Sequence, residues 1–174
     1  IEKGSTGFLG IKSKPAIIKA RKKNDTVDNI REFLENVFSA MNMEVTIDIK
    51  KAEDDKVYEV ELSGKEMGLL IGKRGQTLDS LQYLTNLAVN KHSDGYIKVK
   101  LDTEDYRQRR KDTLENLAKN IAYKVKRTKR PVSLEPMNPF ERRVIHSALQ
   151  GDRYVETHSE GEEPFRHVVV TLKK

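Results

Sequence analysis

Two short stretches hold residue types able to do chemistry. The first is Gly72-Lys73-Arg74-Gly75, which cuts the apolar run Leu69-Leu70-Ile71 just before a helical pattern resumes. Glycine permits backbone angles and close approaches that a Cβ forbids. The first-turn amides of the following helix lack intrahelical partners, and the helix dipole adds partial positive charge there. With Lys73 and Arg74 as counter-charges, both expected to be exposed, the loop reads as a clamp for a backbone phosphate. An apolar groove beside it would be lined by residues such as Leu70, Ile71 and Leu78. A nucleotide P-loop does not fit, because no Lys-Ser/Thr follows the second glycine, and a dinucleotide fingerprint fails for want of a preceding strand. The second stretch is Arg142-Arg143-Val144-Ile145-His146. Arg142 and His146 stand four apart, so they share a helix face that Gln150 continues. A pair so spaced is usually just a polar face. As a site, it would be exposed and seat a phosphate between guanidinium and imidazole, while Val144, Ile145 and Leu149 serve the core.

Nothing comparable supports catalysis. No Ser or Cys nucleophile stands at a recognisable spacing from a base, so no catalytic residue is assigned. The chain has no Cys. That excludes disulfides and thiolate metal ligands and points to a reducing compartment, and neither a metal nor a cofactor is expected. His158 and His167 lie on a predicted hairpin; if His158 faces Phe165, then His167 faces Glu156, and the two histidines are not a pair. His92 ends a helix.

The elements that must position these residues follow from periodicity. Asp25 or Thr26 caps a helix carrying Val27, Ile30, Leu34, Val37, Phe38 and Met41. Alternating runs from Val45 and from Val57 form a hairpin. A short apolar segment over 66–71, the glycine loop, and a helix bearing Leu78, Leu81, Leu84 or Thr85, and Ala88 come next. "YIKVKL" is a third strand. The order is αββααβ. Asp102-Thr103 then caps a long helix with Glu104 and Asp105 in its first turn and an apolar stripe of Leu114, Leu117, Ile121 and Val125. "PVSLEPM" holds a short strand. Asn138-Pro139-Phe140-Glu141 places a cap, a proline and an acid where a helix start wants them. Gly151 stops that helix, and "YVETH" and "FRHVVVTL" form a hairpin around "SEGEEP".

At 174 residues, with 36% hydrophobic and 34% charged content, the chain suits several small cores rather than one large one. The formal net charge is +6. Residues 1–23 hold seven Lys/Arg and one acid; residues 24–101 hold ten basic and fourteen acidic residues; residues 102–174 hold sixteen and twelve. Ten of those cations and two acids fall between Tyr106 and Pro131. A solvated helix face explains such a run, and cations near a helix C-terminus also have a dipole explanation. No apolar run approaches the roughly 20 residues of a membrane helix. The chain opens on Ile1, so a lost leader or domain stays open.

The order αββααβ with "IGKRG" between its central helices resembles a type II KH domain, a three-stranded sheet with helices on one face, whose GXXG loop clamps about four nucleotides of single-stranded nucleic acid. The second half, with its basic leading helix, resembles the R-x-x-x-H (R-three-H) domain, a small α/β single-strand binder in which the Arg and His are the signature pair; Arg143, Arg153 and Arg166 are then further phosphate contacts. In this order the modules resemble the bacterial Jag family, also called KhpB or SpoIIIJ-associated proteins, and "GSTGFLGIKSKPA" resembles the end of its N-terminal Jag domain. The division implied is 1–23, a remnant of the Jag domain; 24–101, the KH domain; and 102–174, the R-x-x-x-H domain, in an α+β fold overall. The resemblance implies a non-enzymatic, cytoplasmic, single-stranded RNA-binding protein. It further implies post-transcriptional regulation tied to envelope growth, division or sporulation, with a second small KH protein or a second copy as partner. A protein-interaction scaffold and a single-stranded DNA binder are the rival readings.

Overall fold

The computed structural model describes residues 25–173, except His92 and Asp94. The expectations for residues 1–23 and for His92 lie outside the described residues. Helix α1 (Thr26–Ala40) starts where the Asp25 carboxylate accepts from the Thr26 amide, and it buries Ile30, Leu34 and Phe38. Strands β1 (Val45–Lys51) and β2 (Val57–Gly64) form the expected hairpin, with Ile47 opposite Leu62 and Ile49 opposite Val60. Strand β3 (Lys98–Asp102) runs parallel to β2, so the sheet order is β1-β2-β3. A parallel pair needs a crossover. Helix α2 (Met67–Ile71), a 3-10 turn (Lys73–Gly75) and helix α3 (Gln76–Asn90) supply it. Ile47, Tyr58, Val60, Leu62, Val99 and Leu101 of the sheet share one core with α1 and α3.

Strand β3 is an edge, and α3 covers it. The Asn86 side chain donates to the Val99 carbonyl and accepts from the Val99 amide, at 2.9 and 2.8 Å. Asn90 treats Ile97 the same way, at 2.7 Å each. The Gln82 carbonyl accepts from the Leu101 amide at 2.9 Å. Three amide side chains, four apart, therefore bind backbone groups of Ile97, Val99 and Leu101, along β3 and the residue before it, that point away from β2. This ladder also settles the register of α3. Thr85 and Val89 turn inward, while Leu84 and Leu87 stay exposed.

The second core lies between helix α4 (Tyr106–Thr128), helix α5 (Pro139–Leu149) and a sheet of order β4-β6-β5, with β4 (Val132–Ser133), β5 (Val155–Glu160) and β6 (His167–Leu172). Helix α4 belongs to both halves. Tyr106 packs against the first core, and Leu114 onward builds the second. Three expectations need correction here. Glu104 and Asp105 are not in the first turn of α4; both sit at φ 51°, before the helix begins. The Thr103 hydroxyl is tied to the Leu62 carbonyl at 2.7 Å, so the chain is still leaving the sheet at that point. The buried stripe of α4 is Leu114, Ala118, Ala122 and Val125 rather than one through Leu117 and Ile121. The two alanines leave room for the facing helix to approach closely. In the hairpin, His158 faces Val169 and His167 faces Glu160. The reason is that the strand runs on through Ser159 and Glu160, residues expected in the loop.

Removing the Asn86 amide orphans two backbone groups at the edge of β3. Asn86→Ala should lower unfolding stability by about 1–3 kcal/mol, read as a lower denaturant midpoint at unchanged slope.

Candidate nucleic-acid interface

The glycine loop is a strained turn. Gly72 has φ 68°, Arg74 φ 57° and Gly75 φ 80°. A Cβ on Gly72 would lie 2.0 Å from the Thr77 hydroxyl, and one on Gly75 would lie 2.6 Å from the Tyr106 ring. Both glycines are thus demanded by packing inside the protein, and Tyr106 of α4 already fills the space beside Gly75. Burial against apolar neighbours pushes the Tyr106 hydroxyl pKa up. Arg74 is half-buried rather than exposed. Its guanidinium donates to the Glu135 carboxylate and to the Pro136 carbonyl. Lys73 is exposed and makes no ion pair among the described residues. The expected groove also needs correction. Leu70 and Leu78 are 1% and 0% exposed and belong to the core, because α2 and α3 turn them onto the sheet; Ile71 is half-buried.

What does open beside the loop is a cleft of about 430 Å³ between the two halves. Lys73, Arg74 and Gln76 line it from the loop, and Pro136, Phe165 and three glutamates, Glu135, Glu141 and Glu163, line it from the second half, each glutamate paired with an arginine. Phe165 is 73% exposed. Sequence reasoning missed Phe165, and only its place in a turn among polar residues hinted at exposure. It also missed Tyr106 and Glu135, since nothing local marks either as a partner of the loop.

The Arg142/His146 pair does share a face, but that face looks inward. Arg142 is 8% exposed. It donates to the Met137 carbonyl at 2.6 Å and to the Glu163 carboxylate. His146 is half-buried, with Nδ1 2.6 Å from the Thr157 hydroxyl and Nε2 2.8 Å from the Ser159 hydroxyl on β5. The reason is helical spacing. Arg142 and His146 flank Ile145 and lead to Leu149, the stripe α5 buries. Burial, then the Arg142 and His158 charges, hold the His146 pKa below its ordinary value. Its hydroxyl partners suit a neutral ring, since each can donate or accept. Beside the pair, buried Glu141 binds Arg110 of α4 at 2.6–2.7 Å. The signature residues therefore fasten α5 to its surroundings and leave no phosphate seat between them.

The remaining expected contacts are exposed but separate. Arg143 lies in a cleft of about 550 Å³ with Lys111, Lys119 and the exposed Phe140. Arg153 lies at the far end of α4 with Lys126, Lys129 and Lys173. Arg166 is exposed on the hairpin turn and reaches the Ser159 carbonyl at 3.4 Å. Arg74 and Arg142 meet through one segment: Glu135 and Pro136 bind the first, and Met137 binds the second.

Two outcomes check this geometry. Arg142→Ala should cost about 2–3 kcal/mol, because it strands the Met137 carbonyl and frees Glu163; thermal melting reads it. For His146, the folded state binds its proton less readily than the unfolded chain. Stability should therefore fall as pH drops below about 6.5, by at most about 1.4 kcal/mol per pH unit for one group. His146→Gln should flatten that part of the profile.

Comparison with known proteins fits the two cores. Residues 28–101 match the family model described as KhpA/KhpB, KH domain, and residues 112–172 match the R-three-H domain. The RNA-binding protein KhpB of Clostridium symbiosum is 68% identical over the whole chain, which covers 78% of that protein. The RNA-binding protein KhpB of Bacillus subtilis is 40% identical, with the whole chain and 84% of that protein aligned. That of Lactiplantibacillus plantarum is 37% identical over 92% of the chain and 50% of that protein. With a KH core, an R-three-H core and a relative of this identity along its full length, the chain belongs to the KhpB family.

Proposed function

We propose that the chain is a non-catalytic protein of the cytoplasm that binds single-stranded RNA at the cleft between its two domains. The observation that carries this is that Lys73, just before α3, and the exposed Phe165 line the same cleft. A phosphate on Lys73 and the first amides of α3 would leave a base within reach of the Phe165 ring, the pairing of charge and stacking platform that single strands favour. The relatives named RNA-binding proteins support RNA as the ligand. The loop acts through Lys73, because Arg74 is held by Glu135. Regulation after transcription, tied to envelope growth, division or sporulation, is the role the family suggests for such binding.

A second reading rests on a different surface. Tyr83, Leu84 and Leu87 form an exposed apolar face on α3. It suits a second KH module, from another copy or from a small partner, and makes the KH half a scaffold as well. Leu84→Glu with Leu87→Glu should then abolish association in light scattering and leave RNA affinity unchanged.

The cleft is tested by titrating the chain with unstructured single-stranded RNA at several salt concentrations. Log affinity should fall with log salt at about 0.7 per phosphate contact. Lys73→Glu should weaken binding and flatten the slope by about 0.7. Phe165→Ala should cost about 1–3 kcal/mol of affinity. Unchanged affinity in both variants, with unchanged circular dichroism, would sink the cleft.

A further inference from the structure

The cation run of α4 does not spread evenly over a solvated face. At the C-terminal end of the helix, Lys126 and Lys129 share a groove of about 510 Å³ with Arg153, Tyr154, Leu172 and Lys173. Four positive side chains and one aromatic ring thus converge from α4, the turn after α5 and the end of β6. Tyr154 is 64% exposed, and the Lys126 ammonium sits 5.4 Å from its ring centre. The backbone beneath the ring is held firmly. The Asp152 carboxylate accepts from the Tyr154 and Val155 amides at 2.9 and 3.3 Å, and the Lys173 amide donates to the Tyr154 carbonyl at 2.9 Å. The Asp152 carboxylate is itself engaged, with Lys126 bonded to it at 2.5 Å. Helix-dipole compensation would account for Lys126 and Lys129. It does not account for Arg153 and Lys173, which come from other elements, or for an exposed tyrosine among them.

We infer that this groove is a second footprint for the same single strand, with a base stacked on Tyr154 and the flanking phosphates on Lys129 and Arg153, beside the Lys173 ammonium that donates to the Asp152 carbonyl at 2.7 Å. Aromatic platforms among backbone-tracking cations are how proteins hold single strands without reading sequence. The site rests on the RNA-binding reading above and extends it along α4. Tyr106, at the other end of that helix, touches the glycine loop. At 1.5 Å per residue, Lys126 stands about 30 Å further along one rigid rod. A strand long enough to reach both footprints gains through effective concentration, and a short one cannot.

The experiment uses the whole chain and fluorescein-labelled, unstructured single-stranded RNA of about 30 and about 6 nucleotides, read by anisotropy. Tyr154→Ala should weaken binding of the long strand by about 5- to 150-fold, the loss expected for one stacked base. Tyr154→Phe should retain parent affinity, since the ring remains. Arg153→Glu should flatten the salt slope. Tyr96→Ala, a ring equally exposed but just before β3, should bind as the parent does. In the parent, the long strand should bind more tightly than the short one. Parent-like binding by Tyr154→Ala, with the Lys73→Glu effect intact, overturns this footprint alone. Loss on Arg153→Glu without loss on Tyr154→Ala makes the groove a plain anion surface and overturns the stacking. A parent that binds neither strand overturns both this footprint and the reading it rests on.

Discussion

Everything near the candidate interface depends on how three residues, Glu135, Pro136 and Met137, are held. Arg74 from the KH loop binds the first two, and Arg142 from helix α5 of the second domain binds the third. Each domain thus sends its motif arginine to the same segment. Guanidinium groups suit this work, because several N–H donors in a fixed plane can serve a carboxylate and a carbonyl together. The consequence is a cleft whose two walls come from different cores, with Lys73 on one side and Phe165 on the other.

Helix α4 reinforces the same join from below. Its first residue fills the space beside Gly75, its Arg110 meets buried Glu141 of α5, and its middle packs the second core. A continuous helix lets the two domains share a frame, where a flexible linker would let them wander. The family match for the R-three-H domain begins inside this helix, at residue 112. The helix therefore serves as a spacer whose ends sit near different surfaces, and its cations are divided between them.

The charge on this molecule is more committed than its composition suggests. Arg74, Arg107, Arg110, Lys126 and Arg142 are all tied to carboxylates. Lys73, Arg143 and Arg153 stay available, each lining a cleft that also holds an exposed aromatic ring, and Arg166 stays exposed beside Phe165. The cations left available thus sit beside exposed rings, while the committed ones hold the fold together.

Local pattern was enough to read the element order, both strand hairpins, the helix starts at Asp25 and Asn138, and the two motifs, because periodicity, caps and turn residues are short-range signals. It also carried the likeness to the KhpB family. It could not say where Arg142 and His146 point, since a polar pair four apart looks the same on either edge of a helix. Only the packing of Ile145 and Leu149 turned that edge inward. Nor could it choose Thr85 over Leu84, because the choice depends on Asn86 and Asn90 reaching the edge of a strand met later in the chain. The fates of Arg74 and Gly75 rested on Glu135 and Tyr106, distant in sequence and unmarked by any local pattern. The residue types able to bind a strand were written in the chain, and which of them remained free to do so was decided by contacts between its two cores.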